Sequence, residues 1–299
     1  MHRFKWTCVA LLLTAATASA ADLPARPTVA DVVKGSKPAD WRALDPASTV
    51  YMEVPGGRVV IELAPTFAPQ HAANIRLLAR DHYFDGLAVI RSQENYVVQW
   101  GDADEKNPRA FKTAKATLPA EFTIPVSADP AFVRLPDGDV YAAEVGHSNG
   151  FPVARDPKSK QEWLTHCYGM VGVGRDTAAD SGGGSSLYVV IGHAPRHLDR
   201  NITVVGRVVS GMSLLTTLPR GTGPLGFYEQ PSQHVPISTF RLAADVPVEQ
   251  RSRLEVMRTD GATYQAVLDA QRNRGGPWTK FAPGKVDLCN AQIPVRAAP

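Results

Sequence analysis

Residues 84–102 read Phe84-Asp85-Gly86-Leu87-Ala88-Val89-Ile90-Arg91-Ser92-Gln93-Glu94-Asn95-Tyr96-Val97-Val98-Gln99-Trp100-Gly101-Asp102. Two strand-like runs, about 87–92 and 95–100, follow the Asp85-Gly86 turn signal, and Gly101-Asp102 closes the second. Arg91 falls on the first run; Tyr96, Val97 and Gln99 fall on the second. A lone strand arginine is ordinarily a surface or salt-bridge residue, so the meaning of Arg91 depends on what surrounds it.

Upstream, residues 50–63 form two alternating runs around Pro55-Gly56-Gly57, a β-hairpin signal. Pro65 and Pro69 then punctuate the entry to a helix whose Ala72, Ile75, Leu78 and Ala79 recur at helical spacing. Downstream, strand character returns at 169–174, 187–191, 203–209 and 236–242, with a short helix near 211–217. Many strands and few helices predict a closed β-barrel capped by helices rather than an alternating parallel sheet. Between them, residues 103–168 lose clean periodicity and read as a long elaborated loop, a length that is unusual unless functional or pinned elsewhere. Beyond Val246 a strand (252–258), a helix (262–273) ending at Gly275-Gly276 and an irregular tail are expected.

The first residues combine Arg3 and Lys5, an apolar run with Val9, Leu11, Leu12 and Leu13, and Ala18-Ser19-Ala20 before Ala21-Asp22, the order of a secretory signal peptide cleaved after Ala20. The expected location is periplasmic or secreted, without stable membrane association after processing. Removal of Arg3 and Lys5 lowers the net charge from +3 to +1, which argues against a nucleic-acid partner. Two cysteines then remain, Cys167 and Cys289. An even pair in an oxidising compartment is a disulfide candidate, the alternative being two buried free thiols; the expected bond fastens the tail to the barrel.

Several motifs fail. Gly172-Val173-Gly174-Arg175 lacks the third glycine of a dinucleotide fingerprint, and Gly182-Gly183-Gly184-Ser185-Ser186 lacks the P-loop lysine. A hydrolase using Ser185 or Ser186 would need a nucleophile elbow that is not present. The histidines at 82, 147, 166, 193 and 197 show no metal-ligand spacing. No cofactor and no metal are implied.

Taken together, 84–102 resembles the cyclophilin signature Tyr-Asp-Gly, Phe-His-Arg, then an aromatic and Gln-Gly-Gly-Asp. Leu63-Ala64-Pro65, Ala68-Pro69 and Asn74 look like that family's first helix and its entry, and Gly169 to Gly174 like the strand carrying its small-residue floor. Ser185-Ser186-Leu187-Tyr188-Val189 stands where the family writes Ser-Gln-Phe-Phe-Ile, and Leu198-Asp199 with Val204-Val205-Gly206-Arg207-Val208 where it writes Leu-Asp and Val-Phe-Gly-Lys-Val. The resemblance covers about 50–244. It implies a closed eight-stranded antiparallel cyclophilin-like barrel capped by two helices; the residues outside that pattern read as an N-terminal arm (21–49), the 103–168 insertion and a C-terminal strand-helix extension (245–299) packed on the barrel. It also implies isomerisation of peptide bonds preceding proline, with proline-containing polypeptides as partners; a monomer is expected.

The resemblance assigns catalysis to Arg91, a protonated fork of N–H donors that weakens amide resonance at the prolyl nitrogen. That resonance underlies a barrier of ~18–20 kcal/mol. Tyr96, Val97, Tyr188 and Leu198 map onto the pocket walls, Gln99 onto the glutamine that bonds substrate and holds the arginine, and Gly174 and Arg175 onto the backbone rail. The chain departs from the family at Ile90 (histidine), Val97 (methionine), Ser186 (glutamine), Tyr188 (phenylalanine), and at His197 and Ile202, which stand for the distal tryptophan and histidine. The missing tryptophan implies weak cyclosporin binding. Ser186 is short and Tyr188 brings a polar tip to an apolar pocket, so a competing expectation is a cyclophilin-shaped peptide-binding or chaperone protein with weak or no turnover.

Overall fold

The computed structural model describes residues 25–299 apart from Glu105 and Pro130; the expected leader, 1–20, lies outside the described residues. Helix α1 (Val29–Lys34) starts at a reciprocal cap between Thr28 and Asp31, and β1 (Trp41–Ala43) follows. Strands β2 (Thr49–Val54) and β3 (Gly57–Leu63) turn at Pro55-Gly56, where Gly56 takes a φ of 93° that a side chain would strain. Helix α2 (Pro69–Arg80) opens on proline at its first turn. Strands β4 (Ala88–Ser92) and β5 (Val97–Gly101) come next.

The segment read as a loop contains five strands: β6 (Ile124–Pro125), β7 (Phe132–Leu135), β8 (Glu144–Ser148), β9 (Phe151–Asp156) and β10 (Gln161–Leu164). The chain returns through β11 (Met170–Val173), β12 (Leu187–Val190), β13 (Val204–Ser210), α3 (Met212–Thr216), β14 (Val235–Pro236) and β15 (Thr239–Leu242). It finishes with β16 (Leu254–Met257), α4 (Ala262–Arg272) and β17 (Val295–Ala297).

The fold is mainly β. Nine of the described strands make one curled antiparallel sheet, ordered β14-β4-β5-β12-β11-β13-β3-β2-β15. The count is nine rather than the expected eight because the single run 235–242 is divided: β14 pairs with β4 and β15 pairs with β2. Between them the Ile237 N–H donates to Leu87 O at 2.8 Å and the Ser238 N–H to Glu53 O at 2.9 Å. One face of the sheet buries Val59, Ile61, Val89, Val98, Trp100 and Val189 against Ile75 and Leu78 of α2. Each such side chain contributes roughly 1.5–3 kcal/mol of transfer free energy. Because strand side chains alternate, residues between these positions point to the other face.

The insertion's strands form a separate antiparallel sheet, ordered β6-β10-β9-β8-β7. Its central hairpin turns at Asn149-Gly150, with φ of 49° and 84°, the left-handed pair that matches strand twist. Strands β8, β9 and β10 are buried at nearly every position, between the large sheet and α4, so they carry no alternation. With Glu144, His147 and Ser148 in β8 and Pro152, Arg155 and Asp156 in β9, they show no continuous apolar run either, so the sequence does not mark them. Tyr264, Val267 and Leu268 of α4 pack in this second core with Phe151 and Trp163, and Met170 and Val204 of the large sheet border it. Cys167 and Cys289 are joined in a disulfide with a Cα–Cα distance of 4.9 Å, tying the tail beside the start of β11.

Candidate active site

The site lies on the sheet face opposite the α2 core. Register would ordinarily place Arg91 opposite Val98, but an irregularity between Val89 and Arg91 makes Arg91 the partner of Gln99. A bulge of this kind re-aims one side chain, and here it sets a guanidinium beside an amide on adjacent strands. On the far side of β5, Tyr188 is opposite Gln99 and Val190 opposite Val97. On β11, Gly172 is opposite Tyr188.

Arg91, Tyr96, Val97, Gln99 and Tyr188 border a cleft of about 560 Å³, inside the ~300–1,000 Å³ of ligand-binding clefts. Arg91 is half-buried. Its Nη1 donates to Gln99 Oε1 at 3.0 Å, its Nε to Leu225 O at 2.7 Å and its Nη2 to Gln93 Oε1. The Tyr96 and Phe227 rings lie 5.6 and 5.2 Å from its Cζ. Burial lowers its pKa from the usual arginine value, opposed by the neighbouring Tyr96 and Tyr188.

Ser186 does not replace the reach of a glutamine. Instead its Oγ accepts from Gln99 Nε2 at 3.0 Å, so the amide is fixed at both ends, by Arg91 and by Ser186. Gly174 makes this possible, since a Cβ there would sit 2.7 Å from Ser186 Oγ and 3.3 Å from Gln99 Nε2. Arg175 borders the cleft while its guanidinium donates to the carbonyls of Asn201, Asp176 and Thr177.

Val97, Tyr188, Leu198 and Ile202 supply apolar surface to the cleft. The Tyr188 hydroxyl is satisfied behind the floor, 2.8 Å from His166 Nε2. Burial raises that hydroxyl well above the ordinary tyrosine value, so it stays a neutral donor.

His197 does not border the cleft. It sits in the 3₁₀ turn Arg196–Leu198, whose near-threefold repeat sends three successive side chains in three directions. Arg196 is buried against Asp199 and Asp139, Leu198 borders the cleft, and His197 is exposed. The sequence reading missed Asp102, Asp176, Ser181, Gly182, Leu225 and Phe227, which border the cleft as well, and it noted Ile90 and Ser185 by their place in the family pattern without assigning them to the site. Leu225 and Phe227 come from an irregular loop with no local signal; Gly182 was visible only as part of a glycine run. That run is held to α2, where Asn74 Nδ2 donates to Gly183 O at 2.7 Å and His71 Nε2 lies 3.2 Å from Gly182 O.

A model of the cyclophilin type peptidyl-prolyl cis-trans isomerase/CLD family matches residues 49–242. Proteins of Brucella suis and Brucella melitensis, each named a probable peptidyl-prolyl cis-trans isomerase, are 29% identical over 189 residues, spanning 60% of this chain and 76% of theirs. The crystal structure of cyclophilin AquaCyp293 from Hirschia baltica is similar with a TM-score of 0.64 at 26% identity. That match covers 83% of this chain and 92% of the other, more of this chain than the family segment alone.

Proposed function

The chain belongs to the cyclophilin-type peptidyl-prolyl cis-trans isomerase family, and from that premise we propose that it isomerises Xaa-Pro bonds in the cleft around Arg91. The observation carrying the proposal is the Arg91–Gln99 pair poised beside an apolar floor of Val97, Tyr188, Leu198 and Ile202. The floor takes the pyrrolidine ring. An arginine N–H donates to the prolyl nitrogen as it pyramidalises, which withdraws its lone pair from amide resonance. Gln99 keeps the guanidinium plane in place and leaves it few ways to turn aside.

A charge-assisted hydrogen bond is worth ~1.5–3 kcal/mol. Made only at the transition state, it supplies about one to two powers of ten in rate. Holding the twisted substrate in a partly desolvated cleft supplies the remainder.

We further propose that residues 1–20 direct export and that the mature monomer assists folding of exported chains, where proline isomerisation is slow. The Cys167–Cys289 disulfide supports an oxidising compartment. The divided run 235–242, bonded to both edges of the sheet, supports its closure into a barrel.

The test is isomerisation of an Ala-Ala-Pro-Phe peptide by wild type and Arg91→Ala. Wild type accelerates exchange and Arg91→Ala loses about tenfold or more. Wild type at the uncatalysed rate would leave a peptide-binding protein on the same fold and end the isomerase reading.

A further inference from the structure

Tyr188 Oη and His166 Nε2 are the near end of a buried chain of hydrogen bonds. His166 Nδ1 lies 3.0 Å from Asp199 Oδ1, which also accepts the His166 backbone N–H at 2.9 Å. Arg196 Nε donates to Asp199 Oδ2 at 2.5 Å, and Arg196 Nη1 and Nη2 donate to Asp139 Oδ1 and Oδ2 at 2.9 and 3.2 Å. Asp139 stands in the loop between β7 and β8 of the inserted sheet, where its Oδ2 also caps the backbone N–H groups of Tyr141 and Ala142. Every side chain of the chain is buried.

We infer that Asp139, Arg196, Asp199 and His166 are positioning residues that fix the floor and one wall of the proline pocket from the inserted sheet. The inference rests on the isomerase reading. The Tyr188 ring crosses β11 directly over Gly172, where a Cβ would come within 2.3 Å of Oη; this glycine opens the passage from cleft to His166. In the neutral imidazole, Nδ1–H faces the Asp199 carboxylate and Nε2 accepts from the tyrosine hydroxyl. The ring of Tyr188 is thereby held at its far end as well as at its backbone. The same carboxylate follows Leu198 and the same arginine precedes it by two residues, so one cluster also sets the wall that Leu198 presents to the cleft.

A phenylalanine would fill the ring's volume without needing a partner. Buried ion pairs add little net stability over apolar packing, so the chain's product is a fixed orientation. Its two ends say where that orientation is delivered: one borders the substrate cleft, the other belongs to the insertion. Cys167, next to His166, is bonded to Cys289, so the C-terminal tail braces the same point.

The test compares His166→Leu and Asp139→Asn in the wild-type and Tyr188→Phe backgrounds, with melting temperatures alongside. His166→Leu leaves the tyrosine hydroxyl buried and unpartnered, and KM for the Ala-Ala-Pro-Phe peptide rises about tenfold with kcat little changed. Asp139→Asn raises it about threefold. With Tyr188→Phe the hydroxyl is absent, so both losses shrink, that of His166→Leu to within about twofold of Tyr188→Phe alone and that of Asp139→Asn to the part that passes through Leu198. Losses of equal size in both backgrounds, or no loss in either, overturn the inference; a purely structural role lowers the melting temperature without this rescue. Should His166→Leu not fold, the Asp139→Asn pair carries the comparison. Should wild type prove inactive, the isomerase reading fails by itself, and the same comparison in the peptide's Kd still decides the positioning role.

Discussion

Replacing Arg91 by lysine keeps the positive charge and removes the planar fork. In the structure three of the five arginine N–H groups are committed, to Leu225 O, Gln99 Oε1 and Gln93 Oε1. One further N–H on each terminal nitrogen is then left for substrate, in a plane fixed by the other three. A lysine ammonium has a single nitrogen and rotatable donors, so the same carbonyls compete with the prolyl nitrogen for it. If the transition-state bond is worth ~1.5–3 kcal/mol, its loss costs about 10- to 100-fold in kcat/KM. Most of that loss is expected in Arg91→Lys, and in kcat more than in KM, because the bond forms as the nitrogen pyramidalises. NMR exchange between cis and trans Ala-Ala-Pro-Phe measures it, with circular dichroism verifying the fold. Arg91→Lys within twofold of wild type would refute forked donation and leave charge alone as the requirement.

The Cys167–Cys289 bond closes a sequence separation of 122 residues, and its loss in a Cys167→Ser/Cys289→Ser protein costs about 5 kcal/mol in the chain-entropy picture, roughly a 10 °C fall in Tm; an unchanged Tm would contradict it. Gly174→Ala places a Cβ 2.7 Å from Ser186 Oγ, so the Gln99–Ser186 bond shifts and kcat/KM falls about fivefold; unaltered kinetics would count against Gln99 as the holder of Arg91. Glu162 is raised to about 8, chiefly by burial and then by the Asp129 carboxyl. Its neutral form is favoured in the folded state, so its contribution is complete below the ordinary glutamate value of 4.5 and is lost as pH rises toward and through 8. Thermal melts from pH 5 to 9 therefore show a larger Tm loss in wild type than in Glu162→Gln; equal slopes would sink this assignment.

The strands of the large sheet were legible because each is a short run rich in β-branched and other apolar residues, set off by recognisable turn residues: Pro55-Gly56 between β2 and β3, Asp85-Gly86 before β4. The inserted sheet was not, since its strands mix Glu, Gly, His, Ser, Pro and Arg among their apolar residues, so neither an alternation nor a continuous apolar run marks them. Asn149-Gly150 forms the turn observed between β8 and β9, a dipeptide that the reading of 103–168 as a loop passed over. Arg91, Gln99 and Tyr188 could be named from the sequence, but their mutual placement depends on a bulge at Ile90 that no residue there announces. Ser186 and Tyr188 read as defects until their partners, Gln99 and His166, were seen.

By itself, the sequence determined the class of fold, the arginine and its neighbouring strand, and the two cysteines available to pair, because these follow from local alternation, turn chemistry and residue type. Tertiary structure alone decided that His197 faces solvent, that Leu225 and Gln93 hold the guanidinium, and that an inserted sheet reaches the pocket through Asp139 and His166. The reason is distance along the chain: Arg91 meets Leu225 across 134 residues and His166 meets Asp199 across 33. Contacts of that span are set by how whole sheets pack, and nothing in the residues between them encodes a register that can be read one segment at a time.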